Sequence, residues 1–119
     1  ESGDERRFID NTMTMLRSLV AELDFALILV SHLKRPDGKG HEEGGFTSLS
    51  QLRGSAGIAQ LSDLVIGLER NQQDEESPDT MTVRVLKNRW SGQTGRACYL
   101  EYSHETGRLT ESVMEDAEV

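Results

Sequence analysis

The chain has 119 residues, of which 29% are charged and 35% are apolar, and its net charge is −8. One small domain fits that length, the thin apolar fraction predicts that part of the surface packs on something else, and the negative charge argues against a protein that coats nucleic acid. The single cysteine, Cys98, excludes an intrachain disulfide, and no apolar run approaches the ~20 residues of a membrane span, so we expect a soluble, intracellular protein.

A helix is the first predicted element. Ser2 and Glu5 form the Ser-x-x-Glu pattern of a capping box, in which both side chains bond free amides of the first helical turn. An apolar stripe at helical spacing then predicts the face that packs in the core: Phe8, Met15, Leu16, Leu19, Val20 and Leu23. The apolar run 25–31 follows and predicts a buried strand. His32 lies at the end of that strand, where ligands collect in open α/β sheets.

A polar, glycine-rich loop is predicted over 33–47, because Pro36-Asp37-Gly38 is typical of a turn. Two short helical turns then lead to a second buried strand, 63–69, and the order strand, crossover, strand predicts a parallel pair. Residues 81–87 and 97–102 alternate apolar and polar side chains around a turn at 91–95. This alternation predicts an antiparallel hairpin.

Each candidate site has an ordinary explanation when it is taken alone. His32 is more often structural than functional, and the cations of the 33–47 loop are more often simply solvated. Arg53-Gly54-Ser55 can grip an anion through backbone amides and a guanidinium, but this signal is weak. Lys87 and Arg89 leave the end of one strand together, either as surface cations or as a pair that stabilises phosphoryl-transfer charge.

Three motifs in order carry a stronger signal. SHLKRPDGKG, LRGSAGIAQLSDLVIGLERNQ and VRVLKNRWSGQTG resemble the C-terminal half of the RecA-like motor of replicative hexameric helicases. The likeness is to the bacteriophage helicase-primase type, with Twinkle and DnaB as more distant relatives. It covers residues 1–110 and leaves 111–119 as an acidic, disordered tail. It implies an α/β fold, a fragment of the RecA-like (P-loop NTPase) fold with parallel strands, crossover helices and a final antiparallel hairpin.

The resemblance also implies roles for ten residues in three groups. The catalytic group comprises a γ-phosphate sensor, a coupling residue, an assisting lysine and an arginine finger that reaches the neighbouring subunit: His32, Gln60, Lys87 and Arg89, in that order. The residues that sandwich the nucleotide base are Arg70 and Tyr102. The residues that contact DNA are Lys34, Lys39, Arg53 and Gly54. No metal ligand is implied in this chain.

The implied substrate is ATP, or another NTP or dNTP, with Mg²⁺. The implied partners are single-stranded DNA and further copies of the chain in a hexameric ring, in the cytoplasm of a bacterial cell or a phage-infected host. Neither the G-x-x-x-x-G-K-[ST] phosphate loop nor a strand that ends in a Mg²⁺-site aspartate occurs in the sequence. We therefore expect a fragment of a longer ATP-dependent DNA helicase that is inactive and without bound nucleotide when isolated.

A second interpretation stays open at this point. The chain is alternatively a non-catalytic RecA-like module that binds single-stranded DNA or docks onto a full-length helicase. Upstream coding sequence separates the two, because a phosphate loop in the same reading frame favours the helicase fragment.

Overall fold

A computed structural model describes residues 2–33, 40, 45–52 and 57–112. Its elements in chain order are the helix α1 (Ser2–Leu23), a 3-10 turn (Leu49–Gln51), the short helix α2 (Gly57–Leu61) and the strands β1 (Leu64–Arg70), β2 (Thr80–Asn88), β3 (Gly95–Tyr102) and β4 (Leu109–Ser112). The predicted α/β class is confirmed. No helix in the described ranges is long and apolar enough to cross a membrane.

Helix α1 forms where the sequence predicts a helix, and acidic residues in its first turn complement the positive end of the helix dipole. It ends where Asp24 adopts a left-handed conformation, with φ of 57° and its amide donating to the Val20 carbonyl at 2.9 Å. The predicted core stripe is largely wrong, because four of its members are exposed: Phe8, Met15, Leu19 and Leu23. Helix α1 packs against α2, which has five residues and covers little of it. Met13 is the buried apolar side chain among the described residues of α1.

The predicted strand at 25–31 is not formed among the described residues. Residues 25–32 belong to no helix or strand, and Ile28 and Val30 are 90% and 86% exposed. Leu33 makes one isolated antiparallel bridge with Leu52. A strand is held by the hydrogen-bond ladder to a neighbour, and the described neighbour of β1 is β2. The predicted parallel pair of 25–31 with 63–69 is therefore not shown.

The four strands form one sheet in the order β1-β2-β3-β4, and each described neighbouring pair is antiparallel. The predicted hairpin is confirmed as β2 and β3, and Gly92 in its connection has a positive φ of 76°, which glycine adopts without strain. A second turn, at 104–106, leads to β4. Residues 111 and 112 lie in β4, and 113–119 lie outside the described residues.

The buried part of the described chain is small. Its buried apolar side chains are Met13 and Ile58, and its buried polar ones are Thr47 and Glu69. Many larger apolar side chains remain accessible, including those on one face of β1: Leu64, Ile66 and Leu68. This distribution agrees with the thin apolar fraction of the sequence.

Candidate functional site

The described candidate residues other than His32 lie at two opposite ends of the sheet. Antiparallel pairing places the end of β2 beside the start of β1 and the start of β2 beside the end of β1. The seven residues of β1 separate these ends by about 20 Å. We call the group at the start of β1 the Asp63 cluster: Arg17, Asp63, Lys87 and Arg89. We call the group at the end of β1 the Asp79 cluster: Arg70, Asp79, Tyr102 and His104.

The Asp63 carboxylate holds two arginines. Arg89 Nη1 lies 2.7 Å from Asp63 Oδ1, and the Arg89 amide donates to the Asp63 carbonyl at 3.0 Å. Arg17, on α1, donates from Nη1 to Asp63 Oδ2 at 2.8 Å. The hydrogen bond from Arg17, together with the charges of Arg17, Arg89 and Lys87, lowers the pKa of Asp63 despite partial desolvation. The predicted arginine finger is therefore ion-paired within its own chain.

Lys87 connects the sheet to helix α2. Its Nζ donates to the Ala59 carbonyl at 2.7 Å and to the Gln60 carbonyl at 3.2 Å. Carbonyl groups at the end of a helix lack partners within the helix, so the ammonium group satisfies them. The structure thus brings together three of the four predicted catalytic residues: Gln60, Lys87 and Arg89.

His32 lies in a different place. It lines a cleft of about 320 Å³ between α1 and residues 29–32, together with Met13, Leu16, Leu29 and Ile58. Of the described residues that line this cleft, none belongs to the Asp63 cluster. His32 itself is exposed, and the structure does not bring it together with the other three catalytic candidates.

The Asp79 cluster brings together both predicted base-binding residues. Arg70 donates from Nε to the Pro78 carbonyl at 2.7 Å and from Nη2 to Asp79 Oδ1 at 2.7 Å. The Tyr102 amide donates to the Asp79 carbonyl at 3.0 Å. His104 Nε2 lies 2.9 Å from the same Asp79 Oδ1, and its ring meets the Tyr102 ring edge-on with centroids 5.1 Å apart. A guanidinium and a phenol ring at one sheet end suit the stacking of a nucleobase.

A third group, the Glu69 cluster, was missed by the sequence analysis: Phe46, Thr47, Glu69 and Arg84. The amide and hydroxyl of Thr47 donate to Glu69 Oε2 at 2.6 and 2.7 Å. Arg84 donates from Nε to the same oxygen at 2.7 Å and from Nη2 to Oε1 at 3.1 Å, and it lies 4.3 Å from the Phe46 ring centroid. Burial alone would raise the pKa of Glu69, but the bonds from Arg84 and Thr47 outweigh it and lower the pKa.

The Glu69 cluster fixes the C-terminal end of the loop that is predicted to contact DNA, because Thr47 is the last residue of that loop. The four predicted DNA contacts themselves lie outside the described residues: Lys34, Lys39, Arg53 and Gly54. Within the described ranges, no three acidic, histidine or cysteine side chains converge as ligands of a metal ion would.

Comparison with known proteins gives two findings. A family profile described as DnaB-like helicase C terminal domain matches residues 1–111. The chain is also 48% identical over 113 residues to the DNA helicase/primase of Enterobacteria phage T3. That alignment covers 94% of this chain and 20% of the phage protein, so the chain spans about a fifth of the length of this relative.

Proposed function

Because the chain belongs to the DnaB-like helicase C-terminal domain family, we propose that it supplies part of the motor of an ATP-dependent replicative DNA helicase. In this proposal the motor translocates on single-stranded DNA and unwinds the duplex. The similarity to a phage DNA helicase/primase supports this function. The motifs that carried the resemblance in the sequence lie within the matched residues.

The separation of the two clusters carries the proposal. Arg89 lies at one end of the sheet, and the base-binding candidates Arg70 and Tyr102 lie at the other end, about 20 Å away along β1. An arginine finger acts on the γ-phosphate and is often supplied by a neighbouring molecule. We therefore propose that each chain serves two nucleotides, one through each end of its sheet. Identical copies that share nucleotides in this way contact each other head to tail, which gives a closed ring or an open filament. We propose a closed ring of six copies.

The Asp63 cluster has the chemistry for the trans-acting role. Arg89 carries a fixed positive charge that stabilises the charge spread over the γ-phosphoryl group during transfer. To reach a neighbour's nucleotide, its guanidinium exchanges the Asp63 carboxylate for phosphate oxygens. Lys87 adds a second positive charge and connects this strand end to α2. A shift of Gln60 on α2 would therefore also move the strand end that carries Arg89. His32 donates a ring N–H to the γ-phosphate in the same proposal.

The remaining roles concern DNA and the complete motor domain. Lys34, Lys39, Arg53 and Gly54 contact the DNA backbone in this proposal, and ATP with Mg²⁺, or another NTP or dNTP, is the substrate. We also propose that residues 25–31 become a strand of a parallel RecA-like sheet in the complete domain. The exposure of Ile28 and Val30 supports this, because apolar side chains in such sheets are covered on both faces.

The test replaces Arg89 by alanine in the helicase that contains this domain. Arginine fingers contribute about 10³ to 10⁵ in rate, so Arg89→Ala should abolish DNA-stimulated ATP hydrolysis while nucleotide binding stays nearly intact. Arg108→Ala is the matched control, because Arg108 is an exposed arginine in the connection before β4. A loss below roughly tenfold for Arg89→Ala, or an equal loss for the control, would mean that Arg89 is a surface cation.

A further inference from the structure

We propose that Asp79 and His104 are positioning residues that preset the base-binding pair, Arg70 and Tyr102. This inference rests on the proposed function, which gives that pair the nucleotide base. Neither Asp79 nor His104 belongs to the motifs that identified the family, and neither is expected to touch the base.

Arg70 is held in place by hydrogen bonds of its own chain. A free arginine side chain has many rotamers, and ordering it on ligand binding costs conformational entropy. Here the guanidinium is held at two points, by the Pro78 carbonyl on Nε and by Asp79 Oδ1 on Nη2, both at 2.7 Å. Two bonds from adjacent nitrogens fix the plane of the fork as well as its position. The plane on which a base stacks is therefore set before the base arrives.

Tyr102 is held through both its backbone and its ring. Its amide bonds the Asp79 carbonyl, which fixes the end of β3 against the residue that precedes β2. The His104 ring packs edge-on against the Tyr102 ring at an interplanar angle of 86° and limits the orientations open to it. Because a carboxylate only accepts, the His104 Nε2 that lies 2.9 Å from Asp79 Oδ1 carries the proton.

One oxygen atom therefore links Arg70 to Tyr102 through His104. Asp79 Oδ1 accepts from Arg70 and from His104, and His104 contacts Tyr102. Asp79 and Arg70 are nine residues apart, but the antiparallel pairing of β1 with β2 brings them together, and the pairing of β2 with β3 adds Tyr102. The sheet end thus acts as a preformed holder for the two groups that contact the base.

Electrostatics and positioning predict opposite results for Asp79→Asn. Removing a negative charge near an anionic ligand strengthens its binding, whereas releasing Arg70 weakens binding of the base. Adenosine is uncharged, so its affinity reports contacts with the base alone. Inorganic triphosphate has no base, so its affinity reports the effect of charge alone. Glu101→Gln is the matched control, because Glu101 is a carboxylate on β3 that bonds Thr80 rather than the pair.

The experiment measures how millimolar adenosine, and separately inorganic triphosphate, competes with nucleotide bound to the helicase that contains this domain. We expect Asp79→Asn and His104→Ala to weaken adenosine binding roughly two- to fivefold, the scale of a partly exposed ion pair. Asp79→Asn should also increase the motion of the Arg70 Nε–H group, measured by NMR in the 119-residue chain without ligand, and Asp79→Glu should restore part of the adenosine binding. Glu101→Gln should change neither adenosine binding nor Arg70 motion.

Two contrary outcomes are distinguishable. If Arg70→Ala and Tyr102→Ala weaken adenosine binding while Asp79→Asn and His104→Ala behave like Glu101→Gln, the positioning role is overturned and the base-binding pair stands. If Arg70→Ala and Tyr102→Ala leave competition by adenosine unchanged, or adenosine does not compete in the unsubstituted helicase, the base-binding function and the positioning role both fall.

Discussion

Glu69 is a charged residue in the small core, and its partners decide how it affects stability. Its exposed fraction is 7%, and it accepts from the Thr47 amide, the Thr47 hydroxyl and two nitrogens of Arg84. Removing a charge from water is costly, and the Arg84 pair offsets that cost only while both charges are present. Loss of one partner leaves the other charge buried and uncompensated.

Glu69→Gln should therefore lower the free energy of unfolding by about 3 kcal/mol, because Arg84 loses its counter-charge in a site with little water. Urea unfolding followed by circular dichroism measures the change. Glu101→Gln removes an exposed carboxylate that bonds Thr80 and should stay within about 0.5 kcal/mol of the parent chain. Equal effects of the two substitutions would show that the Glu69 cluster does not stabilise the fold.

The pH dependence of stability follows from the same residue and from Asp63. The pKa of each is lowered in the folded state, from ordinary values of 4.5 for Glu69 and 3.8 for Asp63. The unfolded chain therefore binds protons first as the pH falls. The stabilisation is fully present above these ordinary values and is lost below them, as each carboxylate protonates in the folded state. Urea midpoints between neutral pH and pH 3 should fall with acidification, and the fall should be smaller in Glu69→Gln.

At the scale of elements, β1 and Thr47 approach so closely that one position of β1 needs glycine. A Cβ atom on Gly67 would lie 2.8 Å from Thr47 Cβ and 3.2 Å from Leu86 Cδ1. Thr47 cannot move away without breaking its bonds to Glu69. The glycine thus allows the Glu69 cluster to form.

Gly67→Ala should destabilise the chain by about 2 kcal/mol, the usual cost of overpacking. Gly3→Ala is the matched control, because Gly3 lies in α1 and a methyl group added there would meet no atom within 4 Å. Alanine at that position should stabilise the helix by up to about 1 kcal/mol. Thermal unfolding of both variants measures the difference. A stabilising effect of Gly67→Ala would contradict the close approach of β1 and Thr47.

How far the sequence predicts this fold depends on how local each signal is. Helix α1 and the β2–β3 hairpin were predicted because capping, alternation and turn residues act over a few positions. The strand at 25–31 was not confirmed, since apolar residues favour a strand but only a neighbouring strand supplies its hydrogen bonds. The core stripe of α1 failed for a similar reason, because periodicity shows which face is apolar and not what covers it.

The candidate site shows the same contrast between local signals and contacts that are distant in sequence. Lys87 and Arg89 were placed correctly at one strand end because the hairpin was predictable. Asp79 and His104 were missed, since their contacts join three strands and leave no local pattern. Glu69 and Arg84 did leave a signal, because each is a charged residue within a predicted strand. The structure adds the register, which pairs Glu69 with Thr82 and Gly67 with Arg84 and so makes the two charges diagonal neighbours.

At the scale of the whole molecule, the net charge of −8 has to be reconciled with a proposed DNA motor. The acids are concentrated in segments such as 71–79, whereas the proposed DNA contacts are lysines and arginines of other segments. In the proposed ring, we expect a few cations from each copy to face the channel and most of the acids to face outward. Because exposed charges are screened beyond about 10 Å at 0.1 M salt, the local sign of the charge governs DNA contact more than the total does.

The exposed apolar run at 25–30 sets the expected behaviour of the chain in solution. Ile28 and Val30 are almost fully exposed, and residues 25–30 belong to no strand, so two copies can pair this run edge to edge. We expect concentration-dependent self-association, which sedimentation velocity measures, and we expect Ile28→Asp to reduce it because a buried carboxylate disfavours the pairing. Leu109→Asp makes the same change at an exposed position on β4 and should have less effect.

A chain that stays monomeric at high concentration, or equal effects of the two substitutions, would mean that this run does not drive association. The proposal that it becomes a covered strand in the complete motor domain would then lose its support in solution behaviour.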